Sequence, residues 1–232
     1  MSIDIDMKAL LESGAHFGHK TSRWHPKMAP YIHSKRGDAH IINLEKTVEG
    51  LEKALPVITK AIAKGEKVLF VGTKKQMKSV VKAAADSVSM PYVTVRWMGG
   101  MLTNVDTVAK QINRLKDLQK KLADGSFAKK YSKLEVQRLQ EEADALEEKY
   151  GGIRDLSKQP AVVVVTDALE DKNAIREAQI LKIPVVAIVD SNVDPSGIDY
   201  VIPANDDAIA GVKLILDYMI EAVKAGQVKK EK

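Results

Sequence analysis

The sequence predicts an α/β protein whose parallel sheet is interrupted by a long antiparallel helical hairpin. Three observations carry that expectation. Segments 67–71 and 161–165 are short, almost unbroken apolar runs, the pattern of strands covered on both faces. Each is followed by a helical stretch and another apolar run, which is the order of a right-handed parallel crossover. Between the two halves, 105–150 carries two successive seams with apolar residues every three or four positions.

The elements follow in order. Segment 5–15 reads as a short amphipathic helix with Met7, Leu10 and Leu11 on one face and Gly14 near its end. Segment 16–36 has no clean period and interleaves cations with aromatics, so a long irregular loop is expected there. His40 to Leu44 is a brief strand with Asn43 as a helix cap, and a helix follows to about Lys64 on Val48, Leu51, Leu55, Ile58 and Ile62. Pro56 predicts a kink or break inside it. After the strand at 67–71, Gly72-Thr73-Lys74-Lys75 turns into a helix through Ala85, and 92–97 is the next strand.

Two glycines then permit a turn with positive φ, and Thr103 or Asn104 caps the helix that follows. Its seam is Val105, Val108, Ile112, Leu115 and Leu122, with Gln119 in the missing position. After a break at Asp124-Gly125-Ser126, Val136, Leu139, Ala143, Leu146 and Tyr150 repeat the period, with Ser132 and Glu135 as a capping box. The first helix is mainly basic (Lys110, Arg114, Lys116, Lys120, Lys121). The second is mainly acidic (Glu135, Glu141, Glu142, Asp144, Glu147, Glu148), so opposite charges should fix the pairing. The sheet resumes at 161–165, with a helix at 172–181, strands at 185–189 and 200–202, and a last helix capped by Asp206 and reaching about Val223. Three units are expected: an α/β body at 1–104 and 151–226, the hairpin at 105–150, and a flexible tail at 227–232.

Composition narrows function. The chain has 232 residues, 36 Lys and Arg against 31 Asp and Glu, a charge of +5 and a pI near 9.1. That moderate basic excess permits a polyanionic partner. No cysteine is present, which excludes disulfides and thiolate zinc sites. The first residues lack the pattern of a secretory signal, and no apolar run is long enough to span a bilayer, so a soluble cytosolic protein is expected.

Four constellations are candidates for chemistry. Gly72 to Lys75 lies where a phosphate-binding turn would lie, yet Walker and Gly-x-Gly-x-x-Gly spacings are absent. Both a tight strand–helix turn and a phosphate contact remain open. Asp167, Asp171, Asp190 and Asp194 follow two strands at the edge where α/β sheets bind ligands. Turn chemistry comes first, since Asp190-Ser191-Asn192 and Asp194-Pro195-Ser196-Gly197 are turn formers by composition, and the site of a cytosolic α/β enzyme or phosphoryl receiver using Asp167 and Asp190 second. The five histidines, His16 and His19 among them, have gaps too irregular for a zinc set. Lys20, Arg23, Trp24, Lys27, Tyr31, Lys35 and Arg36 suit RNA, since cations neutralise phosphate and rings stack on bases; a solvated loop packing its aromatics on the core is the alternative. No nucleophile elbow or catalytic carboxylate pair is present.

Seven stretches stand together in order: His16-Phe17-Gly18-His19, Trp24 to Met28, His40 to Thr47, Phe70 to Lys74, Arg96 to Asn104, Gly151-Gly152-Ile153, and Ile202 to Ile209. They resemble the family of the second protein of the bacterial small ribosomal subunit over almost the whole chain. The resemblance implies a flavodoxin-like parallel sheet with helices on both faces, a protruding helical hairpin, and a structural ribosomal role without catalysis, cofactor or metal. It further implies a ribosome-bound cytoplasmic protein between head and body of the subunit, touching small-subunit rRNA and other small-subunit ribosomal proteins, the large first one among them. Lys20, Arg23, Trp24, Lys27, Lys35, Arg36, Lys74, Lys75, Arg96, Lys110 and Arg114 are the expected RNA-binding residues.

Overall fold

The structure, a computed structural model, describes residues 3–124, 127, 131–156 and 158–230. In chain order its elements are α1 (Met7–Glu12), β1 (Phe17–Lys20), β2 (Ile32–Arg36), β3 (Ala39–Ile42), α2 (Leu44–Ala63), β4 (Val68–Val71), α3 (Lys78–Ser87) and β5 (Tyr92–Val93). Then come α4 (Val105–Ala123), α5 (Lys133–Tyr150), β6 (Val162–Val165), α6 (Lys172–Ile180), β7 (Val185–Val189), β8 (Tyr200–Pro203) and α7 (Ile209–Lys230). Short 3₁₀ turns occupy Thr21–Arg23, Pro26–Tyr31 and Gly151–Ile153.

The main sheet has five parallel strands in the order β5-β4-β6-β7-β8. Counted from β4, that is the flavodoxin-like order, with the switch point between β4 and β6. Valine alternation builds both faces. Val68, Phe70, Val162, Val164, Val186 and Ile188 point into one core with residues of α2, α3 and α7. Leu69, Val71, Val163, Val165, Val185 and Ala187 point into the other with α6, Trp97, Met101, Leu102, Ile112 and Tyr150. Since successive side chains in a strand face opposite ways, a valine run is what a sheet covered on both sides requires.

Several expectations are corrected. The strand expected over 92–97 is only β5: the chain then leaves the sheet, because Trp97 is buried on its second face. The expected irregular loop of 16–36 instead contributes strands β1 and β2 to an antiparallel sheet β1-β3-β2, with two 3₁₀ turns between them. Its strands are nearly all exposed or half-exposed, so no alternation betrays them. Pro56 lies within an unbroken α2, whose Leu51, Ala54, Ile58, Ala61 and Ile62 are buried and which packs along α7. Burial on that scale outweighs one missing hydrogen bond. Helix α3 starts at Lys78, so Lys74 and Lys75 precede it rather than begin it. Helix α7 starts at Ile209, past Asp206, and continues through 227–230, four residues assigned to the tail.

Helices α4 and α5 pack together. Leu122, at the end of α4, clusters with Val136 and Leu139 early in α5, while Ile112 and Tyr150, the last residue of α5, share the second-face core, so the helices run in opposite directions. Leu118, fully buried, fills the seam position assigned to Gln119, which instead donates to Glu147 at 2.9 Å. The capping box at Ser132 and Glu135 forms. Gly125 and Ser126 of the expected break lie outside the described residues, as do 231–232 of the tail.

Candidate nucleic-acid interface

The small sheet lies across the carboxyl edge of the large one. The amide of His19, in β1, donates to Ser191 Oγ at 2.8 Å, and the amide of His25 donates to the Ser191 carbonyl at 2.8 Å. Gly18 makes this approach possible: a Cβ there would sit 2.8 Å from Ser191 Oγ and 3.1 Å from the His40 carbonyl. The edge where open α/β sheets bind ligands is thus covered by the chain itself.

Beneath that cover the edge is filled with the protein's own charges. Lys74, just after β4, places its ammonium 3.1 Å from Asp167 Oδ2, 2.7 Å from Asp206 Oδ1 and 2.8 Å from Asp207 Oδ1. His19 Nδ1 is 3.1 Å from Asp190 Oδ2, and its Nε2 is 3.6 Å from Asp207 Oδ2. Across the switch point the Thr73 hydroxyl and amide donate to Asp171 at 2.8 and 3.1 Å. The carboxylates outnumber the cations, and titration reflects it. Burial and the neighbouring charge of Asp167 push Asp206 up to about 7, despite its contact with Lys74. Burial lifts Asp171 to about 6. Burial disfavours the Lys74 charge, but its carboxylate partners prevail and raise its pKa. One ammonium shared by three carboxylates is well stabilised, while each carboxylate holds only part of a cation. His19 is raised by its hydrogen bond to Asp190.

This arrangement alters two sequence readings. Lys74 was expected to contact RNA phosphate; it is an internal counter-ion. Asp167 and Asp190, the pair weighed for an enzyme, are 4% and 0% exposed and already engaged. Asp167 also accepts from the amides of Leu169 and Glu170 at 2.9 Å, which engages it in the turn after β6. His19, Asp206 and Asp207 each offer a ligand atom, all within 4.8 Å of one another. Their geometry would suit a cation, and the Lys74 ammonium already supplies positive charge there.

The remaining expected RNA residues divide by whether they have acidic partners. Lys27 is held by Asp194 at 2.9 Å and Ser196 at 2.8 Å, and this contact keeps the Asp194 carboxyl well below the usual range. Arg114 makes a two-pronged pair with Glu142 at 3.0 and 3.1 Å. By contrast Lys20, Arg23, Lys35, Arg36, Lys75, Arg96 and Lys110 are exposed and make no ion pair among the described residues. The small sheet brings some of them together. Lys20 in β1 and Arg36 in β2 both stand opposite Ala39 in β3, from its two sides. Residues directly opposite share a face, so both side chains project from one surface roughly 10 Å apart at the backbone. Lys35 follows opposite His40 on the other face. Trp24 is 36% exposed with its ring centroid 4.9 Å from that of His40, so it is partly committed to packing.

Sequence reading missed Glu177 altogether. Its carboxylate, on α6, accepts from Trp97 Nε1 and from the amides of Gly100, Leu102 and Thr103. The Gly99-Gly100 turn therefore spends its backbone donors on an internal carboxylate and not on a nucleic-acid phosphate. A buried glutamate on a helix facing a glycine turn is a signal only once the two are known to be adjacent. Among the described residues no helix is long and apolar enough to cross a membrane. A family model described as ribosomal protein S2 matches residues 10–226 of the 232.

Proposed function

The chain belongs to the ribosomal protein S2 family, and from that premise we propose that it joins the small ribosomal subunit as an architectural protein gripping rRNA through its uncompensated cations. The family is one of structural ribosomal proteins, so translation is the process served. The observation that carries the rRNA reading is the small sheet. Lys20 and Arg36 flank Ala39, both exposed and with no acidic partner among the described residues, on β strands laid over the main sheet. Arg23, in the turn after β1, and Lys35, on the opposite face of the small sheet, are further exposed cations nearby, and Lys75, Arg96 and Lys110 add others elsewhere. Clustered fixed cations displace counterions from a phosphate backbone, which is favourable and strongly dependent on salt.

In this reading the α/β body (1–104 and 151–226) is the platform, and α4 with α5 (105–150) is a protruding arm reaching beyond it. The protein sits between head and body of the subunit and touches neighbouring ribosomal proteins, the large first small-subunit protein being a candidate. Arg114 and Lys27 contribute only if RNA displaces Glu142 or Asp194. Lys74 makes no RNA contact.

Sedimentation of a lysate tests the reading. The protein should travel with small subunits at low salt and leave them steeply as salt rises, with a slope set by the number of phosphates neutralised. A protein that stays at the top of the gradient at low salt would end the proposal.

A further inference from the structure

Two stretches distant in sequence meet on the second face of the sheet: the turn that begins α4, and the middle of α6. Glu177 Oε1 accepts from Trp97 Nε1 at 3.0 Å and from the Gly100 amide at 2.7 Å. Oε2 accepts from the amides of Leu102 and Thr103 at 2.9 and 3.1 Å and from the Thr103 hydroxyl at 3.2 Å. A carboxylate has about four good acceptor sites, so five donors saturate it. Gly100, at φ +89°, lets the turn close around the anion. Burial works against the Glu177 charge, but the indole and amide donors prevail and hold its pKa below the usual carboxylate range.

The chain leaves the body for α4 through this turn and returns from α5 through Gly151 and Gly152. The return is fixed by close backbone approach, since a Cβ on Gly152 would lie 2.3 Å from the Tyr92 carbonyl. The entry is fixed by Glu177. Apolar contacts of Met101, Leu102 and Ile112 with the body hold the root in place without prescribing a direction, whereas hydrogen bonds are directional. We propose that Glu177 is the positioning residue that sets the direction of the α4–α5 pair relative to the sheet, so that the cations of the arm and of the small sheet meet rRNA in one fixed arrangement. The second half of that statement rests on the rRNA reading above; the first does not.

The chain has no cysteine, so a pair introduced as Lys82→Cys on α3 and Gln140→Cys on α5, both at exposed positions, takes spin labels cleanly. Distances are measured on the free full-length protein. The parent should give one narrow distribution. Glu177→Ala should at least double its width, and Glu177→Gln, which keeps a single acceptor oxygen, should fall between. A parent-like narrow distribution in Glu177→Ala overturns the proposal. Should that variant fail to fold, an unchanged width in Glu177→Gln overturns it equally. Subunit occupancy adds a second readout. Glu177→Gln should lose several-fold more occupancy than an Ile175 variant matched to it in unfolding free energy, because only the former redirects the arm. Equal losses would mean that Glu177 serves stability alone. Failure of the parent to join subunits would overturn the rRNA reading and leave the distance result standing.

Discussion

Two charged regions of the molecule, the carboxyl edge of the five-stranded sheet and the face of the small antiparallel sheet above it, use the same residue types to opposite ends. At the edge, Asp167, Asp190 and Asp206 are buried and Lys74 stands among them. On the small sheet Lys20, Lys35 and Arg36 are exposed, with no acidic partner among the described residues. A charge withdrawn from water must be met by the protein, and its energy then belongs to the fold. A charge left in water without a partner is available to whatever polyanion arrives. Lys74 and Lys75 are adjacent in sequence and fall on opposite sides of this division.

The largest expected effect tests that boundary. Lys74→Met leaves three carboxylates facing one another without their ammonium and should cost about 3–5 kcal/mol of stability, the usual consequence of breaking a buried pair from one side. Lys75→Met should stay within about 0.5 kcal/mol of the parent, as exposed substitutions do, while weakening retention on subunits. Urea unfolding at neutral pH measures both. Similar losses for the two variants would erase the distinction.

A smaller effect sharpens the same contrast through pH. Asp206 titrates near 7 in the fold against an ordinary value of 3.8. Between those values the native state binds more protons than the unfolded state, so stability falls as pH rises. Asp171, held up to about 6 by burial, acts in the same direction, as does His19, whose raised pKa means loss above its ordinary range. Carboxylates held low, Asp207 and Glu177 among them, act oppositely by losing stability as pH falls through their folded values. Subtracting the unfolding free energy of Asp206→Asn at each pH isolates the first contribution. The parent should lose roughly 3–4 kcal/mol relative to that variant between pH 4 and pH 8. A flat difference would mean that Lys74 keeps Asp206 ionised throughout.

The features legible along the chain were those decided by near neighbours. The valine runs, the heptad seams and the Ser132–Glu135 capping box each depend on residues a few positions apart, and each is where the sequence pattern placed it, save that Leu118 and not Gln119 fills one position of the α4 seam. The features that escaped depend on strand order. Only because β4 lies beside β6, and β8 beside β7, do Lys74, Asp167, Asp190 and Asp206 converge. Glu177 and its donors are separated by 74 to 80 positions, too far for any local pattern to connect. Of the small sheet only β3 was foreseen, as the brief strand beginning at His40, and β1 and β2 escaped for a different reason. With no buried side chains, those two strands carry no hydrophobic alternation, and their pairing shows only in backbone register. The candidate RNA residues were recognised by type, but which of them remain free was a property of the fold.

On the outward-facing side, reversing charge at Lys20 and Arg36 should change binding without changing stability. Each single substitution to Glu should weaken subunit retention about tenfold, near 1.4 kcal/mol, and lower the salt slope by about one for each phosphate no longer neutralised. Unfolding should be unchanged within about 0.5 kcal/mol. Retention that survives both reversals at low salt would show that the small sheet faces away from rRNA.

The smallest expected effect concerns Arg114, which stands between the two regimes: exposed like Lys20, yet paired with Glu142. An exposed pair of this kind is worth only about 0.2–1 kcal/mol, because water screens it and two long side chains must be held still. The pairing raises the Arg114 pKa and lowers that of Glu142, in each case chiefly through the shared hydrogen bonds. A double-substitution cycle with Arg114→Gln and Glu142→Gln should return a coupling in that range, shrinking with added salt. The retention assay separates function from fold more finely. If Glu142 competes with phosphate for Arg114, Glu142→Gln should tighten binding slightly while Arg114→Gln loosens it, so the two variants move in opposite directions. Movement in the same direction would place the pair wholly in the service of the α4–α5 contact.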